Sequence, residues 1–314
     1  MSEGAGDAVQ RYIVGRVVQS IVSMVVVSIV VFALVRLSGD PIQIMAPPEA
    51  SQADIAAMRA YLGLDRPWAV QYGRFVTRAL QGDFGQSVRF RRPALDLVLE
   101  RYGATLELGG LAVVIVIVVA LPVGVYAAVR RGRKLDYAAR AFAALGQAVP
   151  PFWLGLLLVL VFGVILHWLP TSGRGTPLHI ILPGITLGWF AVAGLMRLTR
   201  SAMLDVLGTE YVKLARIKGL PERHVIWKHA FKNAALPVVT FAGLVFVALL
   251  NGSIIIETVF SWPGVGLLVI EAVDSRDYPI VQTVVLFLSG MYIGVNLLVD
   301  VLYAYLNPKI RYSA

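Results

Sequence analysis

The stretch LGGLAVVIVIVVALPVGVYAAV, residues 108–129, decides the fold class of this chain, because it holds 22 residues without a charged side chain. A helix that crosses the hydrocarbon core of a bilayer needs about 20 apolar residues, so this stretch is long enough for one crossing. The whole chain has a matching composition: of 314 residues, 58% are hydrophobic and only 15% are charged. Soluble domains carry about 25% charged residues, so the sequence predicts an all-α polytopic membrane protein.

Six uncharged apolar runs of this kind occur along the sequence. They cover approximately residues 17–35, 108–129, 141–169, 177–196, 234–256 and 278–299. Each run can supply one transmembrane helix, and an even number of helices places both termini on the same side of the membrane. The first run is longer than the core of a signal peptide, and we therefore interpret it as a retained helix.

The basic residues predict the orientation of these helices. The tails and short loops on one side hold 17 Lys and Arg residues, whereas the short loops on the other side hold only Arg174 and Arg276. The positive-inside rule places both termini in the cytoplasm, so the net charge of +9 needs no nucleic-acid partner. The predicted segments are a cytoplasmic tail (1–11), a first helix (12–36), an exoplasmic subdomain (37–102), a transmembrane core (103–306) with a cytoplasmic loop (199–233), and a cytoplasmic tail (307–314).

The long first loop has helical patterning. Ser51 and Asp54 have the spacing of a capping box, and apolar residues follow at helical spacing up to Gly63. A second helical pattern runs from Pro67 to Gly82. The loop is therefore predicted to form a small helical subdomain, or alternatively a helix pair that lies on the membrane surface.

Several classes of function are excluded by what the sequence lacks. The six runs contain no Asp, Glu, Lys or Arg, so the carboxylates of a proton relay or an intramembrane aspartyl protease are missing. No Gly-Lys pair is present for a phosphate-binding loop, and neither HExxH nor GxSxG occurs. His167 and His179 flank one short loop and are interpreted as structural. We predict no enzymatic activity, no metal site and no cofactor in this chain.

The largest cytoplasmic loop, residues 199–233, has the pattern of a helix, a break and a second helix. Thr209 or Ser201 can cap the first helix, Gly219 can end it in the left-handed conformation, and Pro221 suits the start of the second. The residues alone leave two interpretations open. This loop is either a compact docking element below the membrane or an amphipathic connector.

Short motifs are spread over nearly the whole chain in a specific order. They are Gly39-Asp40-Pro41, Leu62-Gly63-Leu64-Asp65-Arg66-Pro67, Gln71-Tyr72, Gly82-Asp83-Phe84-Gly85, the loop centre at 210–223, Glu257-Thr258-Val259-Phe260-Ser261-Trp262-Pro263-Gly264, Arg276-Asp277-Tyr278-Pro279 and Asn296-Leu297-Leu298-Val299-Asp300. With these motifs the chain resembles the inner-membrane permeases of peptide-type ABC importers, the branch of dipeptide, oligopeptide, glutathione and nickel systems. The resemblance implies the type I importer permease fold.

This resemblance also implies partners and a coupling contact. The partners would be a second homologous permease, two cytoplasmic ATPases that bind the ATP and Mg²⁺, and an extracytoplasmic substrate-binding protein. The motif of the coupling helix corresponds by position to part of the 199–233 loop, with Lys and Leu where the general motif has Glu and Ala. The expected coupling residues are Lys213, Leu214, Ala215, Arg216, Lys218, Gly219 and Leu220.

The end of the fifth run is the expected extracytoplasmic gate. Asn251, Glu257 and Trp262 fall there, and Asn251 stands where the family usually has glycine. Glu257 at an interface would meet an arginine of the partner permease or the amine of a peptide; the alternative is a solvated loop charge. The resemblance thus implies a permease for di- or oligopeptides. Glutathione, a nickel chelate or another small solute stays open, and the rival from another class is a self-sufficient channel or structural membrane protein.

Overall fold

The computed structural model describes residues 3–37, 42, 51–61 and 63–306. These residues form helices and connecting turns, with a single β-bridge between Gln86 and Pro93, so the predicted all-α class is confirmed. The α-helices are α1 (Glu3–Leu37), α2 (Gln52–Tyr61), α3 (Trp68–Leu80), α4 (Ala94–Val129), α5 (Lys134–Ala148), α6 (Pro151–Leu158), α7 (Ile181–Leu207), α8 (Glu210–Ile217), α9 (Lys232–Val259), α10 (Val265–Asp274) and α11 (Tyr278–Leu306). A π-helix, Val159–Ile165, continues α6, and a helical turn, Glu222–His224, with a second π-helix, Val225–Phe231, leads into α9. The motif at 39–41 and the tail at 307–314 lie outside the described residues.

One compact unit comprises the chain up to Tyr102 and from Leu268 onward. Within it α1 packs along α11. The amphipathic helix α3 packs its aromatic face against α1, where Tyr72 meets the ring of Phe32 and its hydroxyl lies 2.7 Å from that of Ser28. The two helices predicted in the first loop are thus present, as α2 and α3. Their place outside the membrane stays a prediction.

The capping box that was predicted at the start of α2 is formed. The Asp54 backbone N–H donates to the Ser51 hydroxyl at 3.2 Å, and the Ser51 backbone N–H donates to the Asp54 carboxylate at 3.0 Å. The hydrogen bonds from Ser51 hold the pKa of Asp54 below its usual value, because they stabilise the ionised carboxylate.

The second compact unit, residues 103–267, is a helical bundle built on α7. Helices α5, α6 and α9 all pack against α7. Small residues permit the close contacts: a Cβ added to Gly146 of α5 would lie 2.5 Å from the Cβ of Ala193 on α7. Such close approach of small residues is the ordinary way in which helices associate within a membrane.

Four helices are long and apolar enough to cross a membrane within the described residues. They occupy Arg11–Leu37, Ala94–Val129, Ile181–Leu207 and Tyr278–Leu298. A fifth crossing results if Lys134–Ala148 and Pro151–Ile165, which are bent by 105°, count as one span. The run at 234–256 lies in α9, which is not among these helices. The predicted number of six is therefore not confirmed.

The run at 141–169, which is predicted to supply a single crossing, is divided between two helices with a bend between them. Val149 has an extended backbone (ψ 119°), and Pro150 follows it in an equally extended conformation before α6 begins. A residue that precedes proline is disfavoured in the helical region, so α5 ends at this point. The consequence is the bend between α5 and α6.

Candidate coupling hairpin and exoplasmic turn

The loop that is predicted to be cytoplasmic forms a hairpin, and we name its residues 209–224 the coupling hairpin after their predicted role. Helix α8 ends at Ile217, the backbone turns at Gly219 with φ +71°, and Pro221 precedes the next helical turn. A Cβ on Gly219 would meet no atom within 4 Å, so glycine is favoured here by the left-handed conformation and not by a lack of space within this chain. The predicted helix, break and helix are confirmed.

The predicted capping of α8 needs a correction. Thr209 does occupy the N-cap position with an extended backbone, but its hydroxyl donates to the carbonyl oxygen of Val206 at 2.6 Å instead of capping α8. Ser201 lies inside α7 and caps nothing. The hydroxyl of Thr209 therefore ends α7, which explains how two helices follow each other with only two residues between them.

The two faces of α8 differ sharply. Val212 and Ala215 point into the bundle, where they pack in a cluster with Met203 and Val225. Ala215 is only 6% exposed, because its methyl group packs α8 against its own chain, and its place in the coupling contact stays a prediction. The outward face carries apolar side chains, including Ile217 at 79% exposure. This exposed apolar ridge consists of Tyr211, Leu214, Ile217 and Leu220.

The charged residues of the hairpin have distinct surroundings. Arg216 donates two hydrogen bonds to the Glu222 carboxylate across the turn, at 2.8 and 3.3 Å. This carboxylate raises the pKa of the Arg216 guanidinium above its usual value. Lys213 donates to Glu210 at 2.8 Å on the same helix. Lys218 is exposed beside the turn. Arg216 therefore braces the hairpin, while Lys218 faces outward.

A buried carboxylate organises the turn between α9 and α10. Glu257 is 0% exposed, and its two oxygens accept hydrogen bonds from the Thr105 hydroxyl at 2.8 Å and from the Leu267 backbone N–H at 3.1 Å. The Val265 backbone N–H donates to the oxygen of the same Thr105 hydroxyl at 2.9 Å. Both N–H groups belong to the first turn of α10, where free donors and the helix dipole favour a negative charge.

Two glycines let the backbone close over this carboxylate. A Cβ on Gly264 would collide with all three atoms of the Glu257 carboxyl group, and one on Gly266 would lie 2.6 Å from the Cα of Ile254. The indole N–H of Trp262 donates to the Ala104 carbonyl oxygen at 2.8 Å, and this side chain is buried too. We name the segment 257–267 the exoplasmic turn, after its predicted side of the membrane.

This arrangement changes the interpretation of the gate residues. Glu257 is enclosed by its own chain, so the alternative of a solvated loop charge is wrong, and the carboxylate does not sit at an open interface in this conformation. Asn251 lies within α9, and its side chain is outside the described part of the structure. The gate role of the three residues stays a prediction. The pairing of Glu257 with Thr105, which is 152 positions away, has no local sequence pattern.

A large groove in the second unit was not predicted. It encloses about 880 Å³ beside the α5–α6 bend, α7 and α9. Its walls are mostly apolar, with Phe190 and Phe241 among them, and its polar groups include Gln147 and Arg197, which are joined by a hydrogen bond of 2.6 Å. Apolar residues on membrane helices look alike in sequence whether they face lipid or a groove, so the sequence offered no pattern that reveals it.

The two histidines have local partners. His167 lies 3.2 Å from the Gly163 carbonyl oxygen, and His179 accepts a hydrogen bond from the Thr176 backbone N–H at 3.0 Å. No group of three or more His, Asp or Glu side chains suited to a metal ion was found within the described ranges.

Comparison with known proteins gives a consistent result. The family described as binding-protein-dependent transport system inner membrane component matches residues 120–312, and the N-terminal family of these membrane components matches residues 9–109. The glutathione transport system permease protein GsiC of Salmonella paratyphi A is 44% identical over 304 residues, which cover 96% of this chain and 99% of that protein. GsiC of Escherichia coli K12 is 43% identical with the same coverage.

A solved structure has the same fold at low sequence identity. The inward-facing MetNI methionine ABC transporter matches with a TM-score of 0.50 and 18% identity. The match covers 65% of this chain and 96% of the MetNI chain. It supports the type I importer permease fold.

Proposed function

This chain belongs to the family of binding-protein-dependent transport system inner membrane components, and from that premise we propose that it forms half of a translocation pathway for di- and oligopeptides. It is a permease subunit of an ABC importer and a multi-pass protein of the inner membrane. The relatives named above transport glutathione, a tripeptide with a γ-linkage, which supports a peptide-like substrate. Glutathione itself, a nickel chelate or another small solute is the alternative cargo.

The observation that carries the proposed mechanism is the exposed apolar ridge of the coupling hairpin. Ile217 is the most exposed member of that ridge, and an apolar patch at the tip of a basic cytoplasmic loop suits a protein partner. We assign this partner as a cytoplasmic ATPase. ATP-driven closure of two ATPases would push two coupling hairpins together, one from this chain and one from a second homologous permease. An extracytoplasmic binding protein would deliver the substrate.

The chain alone is expected to bind and hydrolyse no ATP, because its sequence has no phosphate-binding loop. The complete complex, reconstituted with both ATPases, the second permease and the binding protein, should hydrolyse ATP and take up peptide. Calorimetry with the isolated subunit and uptake with the reconstituted complex test the two halves of this expectation. Micromolar nucleotide binding by the isolated chain would contradict the assignment of ATP to the partners.

We propose that both termini face the cytoplasm, since the positive-inside rule favours this orientation. A reporter fused after Ala79, in the last turn of α3, is then expected to lie in the exoplasm. An alkaline phosphatase fusion at this position should be active and a fluorescent protein fusion dark. An inactive phosphatase fusion together with a bright fluorescent protein fusion would contradict the proposed topology.

We further propose that the exoplasmic turn contributes to the extracytoplasmic gate. Glu257 would hold the turn in place and not contact the substrate, because its carboxylate fixes the start of α10. Trp262 anchors the same turn to α4. Asn251, six residues before Glu257 on α9, is proposed to line the path. A rigid turn at this end of α9 suits a gate that must close reproducibly.

A further inference from the structure

We infer that the ion pair between Asp136 and Arg200 transmits movement of the coupling hairpin to the bent α5–α6 pair. This inference rests on the proposed coupling of the hairpin to ATPases. The two residues act as positioning residues: they touch neither the ATPase nor the substrate, and their role is to make α5 move with α7.

Asp136 is only 1% exposed, and both oxygens of its carboxylate accept hydrogen bonds. Arg200 on α7 donates from Nε to Oδ1 at 2.6 Å and from Nη2 to Oδ2 at 3.0 Å. The backbone N–H of Gly132, in the turn after α4, donates to Oδ2 at 2.9 Å, and Arg140 adds a second cation at 3.6 Å. A bidentate pair of this kind fixes the orientation of both side chains, so it ties the start of α5 to one point on α7.

That point on α7 lies close to the coupling hairpin. Arg200 is fewer than three helical turns before Thr209, where α8 begins to form. The end of α7 is held to the hairpin by the buried cluster in which Met203 packs with Val212 of α8. A push on α8 therefore moves the end of α7, because the packed cluster between them deforms little.

The other end of α5 reaches the groove. Arg197, one turn before Arg200, donates to Gln147 in the last turn of α5, and Gly146 packs on Ala193. The groove is lined by Gln147 and by Pro151, the first residue of α6. Helix α5 is thus fastened to α7 at both its ends, and its far end borders the groove and the 105° bend.

A charged pair suits this task better than apolar packing alone. Apolar packing resists compression but is non-directional, so it fixes the register of two helices less strictly than a bidentate ion pair does. The bidentate geometry of Arg200 and Asp136 is lost on a small displacement, and a separated buried carboxylate is costly. We therefore expect α5 to follow α7 as one body, and expect uptake to fall behind ATP hydrolysis when the pair is weakened.

The test is the number of substrate molecules imported per ATP hydrolysed by the complete complex in proteoliposomes. Asp136→Asn and Arg200→Lys should both assemble with the ATPases and hydrolyse ATP, while import per ATP falls about tenfold, the upper part of the range for a lost coupling contact. The exchanged pair, Asp136→Arg with Arg200→Asp, should recover part of that ratio. Glu107→Gln removes the half-exposed ion pair with Arg174 and serves as the matched control with an unchanged ratio.

The outcomes separate this inference from the proposed function. If the wild-type chain neither assembles with ATPases nor supports hydrolysis, the proposed function fails. If Arg200→Lys assembles and imports the wild-type number of molecules per ATP, the transmission role is wrong while the proposed function stands. Should Asp136→Asn fail to assemble, Arg200→Lys decides the question, since it keeps the charge and loses only the bidentate geometry.

Discussion

Replacing Gly219 with aspartate is expected to leave the chain folded and inserted while it abolishes association with the ATPases. In the free chain the substitution costs little, because a Cβ at this position meets no atom within 4 Å and aspartate tolerates the left-handed conformation at about 1 kcal/mol. At the docked hairpin it adds a charge to a surface that loses its water. We expect a loss of several kcal/mol of docking free energy, which removes both assembly and uptake.

Co-purification of the ATPases with the tagged permease measures this effect. Gly219→Asn provides the matched control, because it has the same backbone strain without the charge and should keep part of the assembly. Gly208→Asp provides a second control at a turn with an ordinary φ of −83° and equally open space. Retention of both ATPases and of substrate-stimulated hydrolysis by Gly219→Asp would show that the hairpin is a mere connector.

Replacing Gly264 with alanine is expected to destabilise the exoplasmic turn by about 3 kcal/mol, the upper part of the usual range for overpacking. The added methyl group would occupy the space of the buried Glu257 carboxyl group, which could move away only by breaking its hydrogen bonds to Thr105 and Leu267. Thermal unfolding of the purified subunit in detergent should show the loss. Gly110→Ala on α4 is the control, since open space surrounds that glycine and alanine favours a helix.

Glu257→Gln separates the packing of the turn from its hydrogen bonds. One carboxylate oxygen becomes an NH₂ group that faces a donor, either the Thr105 hydroxyl or the Leu267 N–H, and the loss is about 1–3 kcal/mol. We expect slower uptake with a normally assembled complex. Transport at the wild-type rate and affinity would rule out a gate role for Glu257.

For Gly264→Ala, an unchanged unfolding temperature would contradict the tight packing of the turn.

The features that the sequence predicted correctly are local ones. The capping box of Ser51 and Asp54 and the left-handed turn at Gly219 each depend on residues within a few positions, so their spacing is sufficient. The start of α3 after Pro67 belongs to the same class. Local chemistry determines such features whatever the remainder of the chain does.

The features that were missed depend on contacts between distant segments. The sequence predicts Glu257 either at an interface or as a solvated loop charge, whereas its partner Thr105 lies in a different helix of the same chain. The pairing of Asp136 with Arg200, 64 positions apart, has no sequence pattern, because each resembles an ordinary charge at a membrane boundary. The burial of Ala215 also depends on how α8 packs against the rest of the chain, which the motif around it does not reveal.

The central claim, that the coupling hairpin docks on an ATPase, can be tested by cross-linking from one engineered cysteine. The chain contains no native cysteine, so Ile217→Cys gives a single attachment point for a thiol-linked photo-cross-linker at the most exposed position of the apolar ridge. In the assembled, active complex we predict that this position cross-links to the ATPase subunit, whereas Leu80→Cys on α3, 84% exposed, does not. An active complex in which position 217 yields no ATPase adduct would contradict the claim.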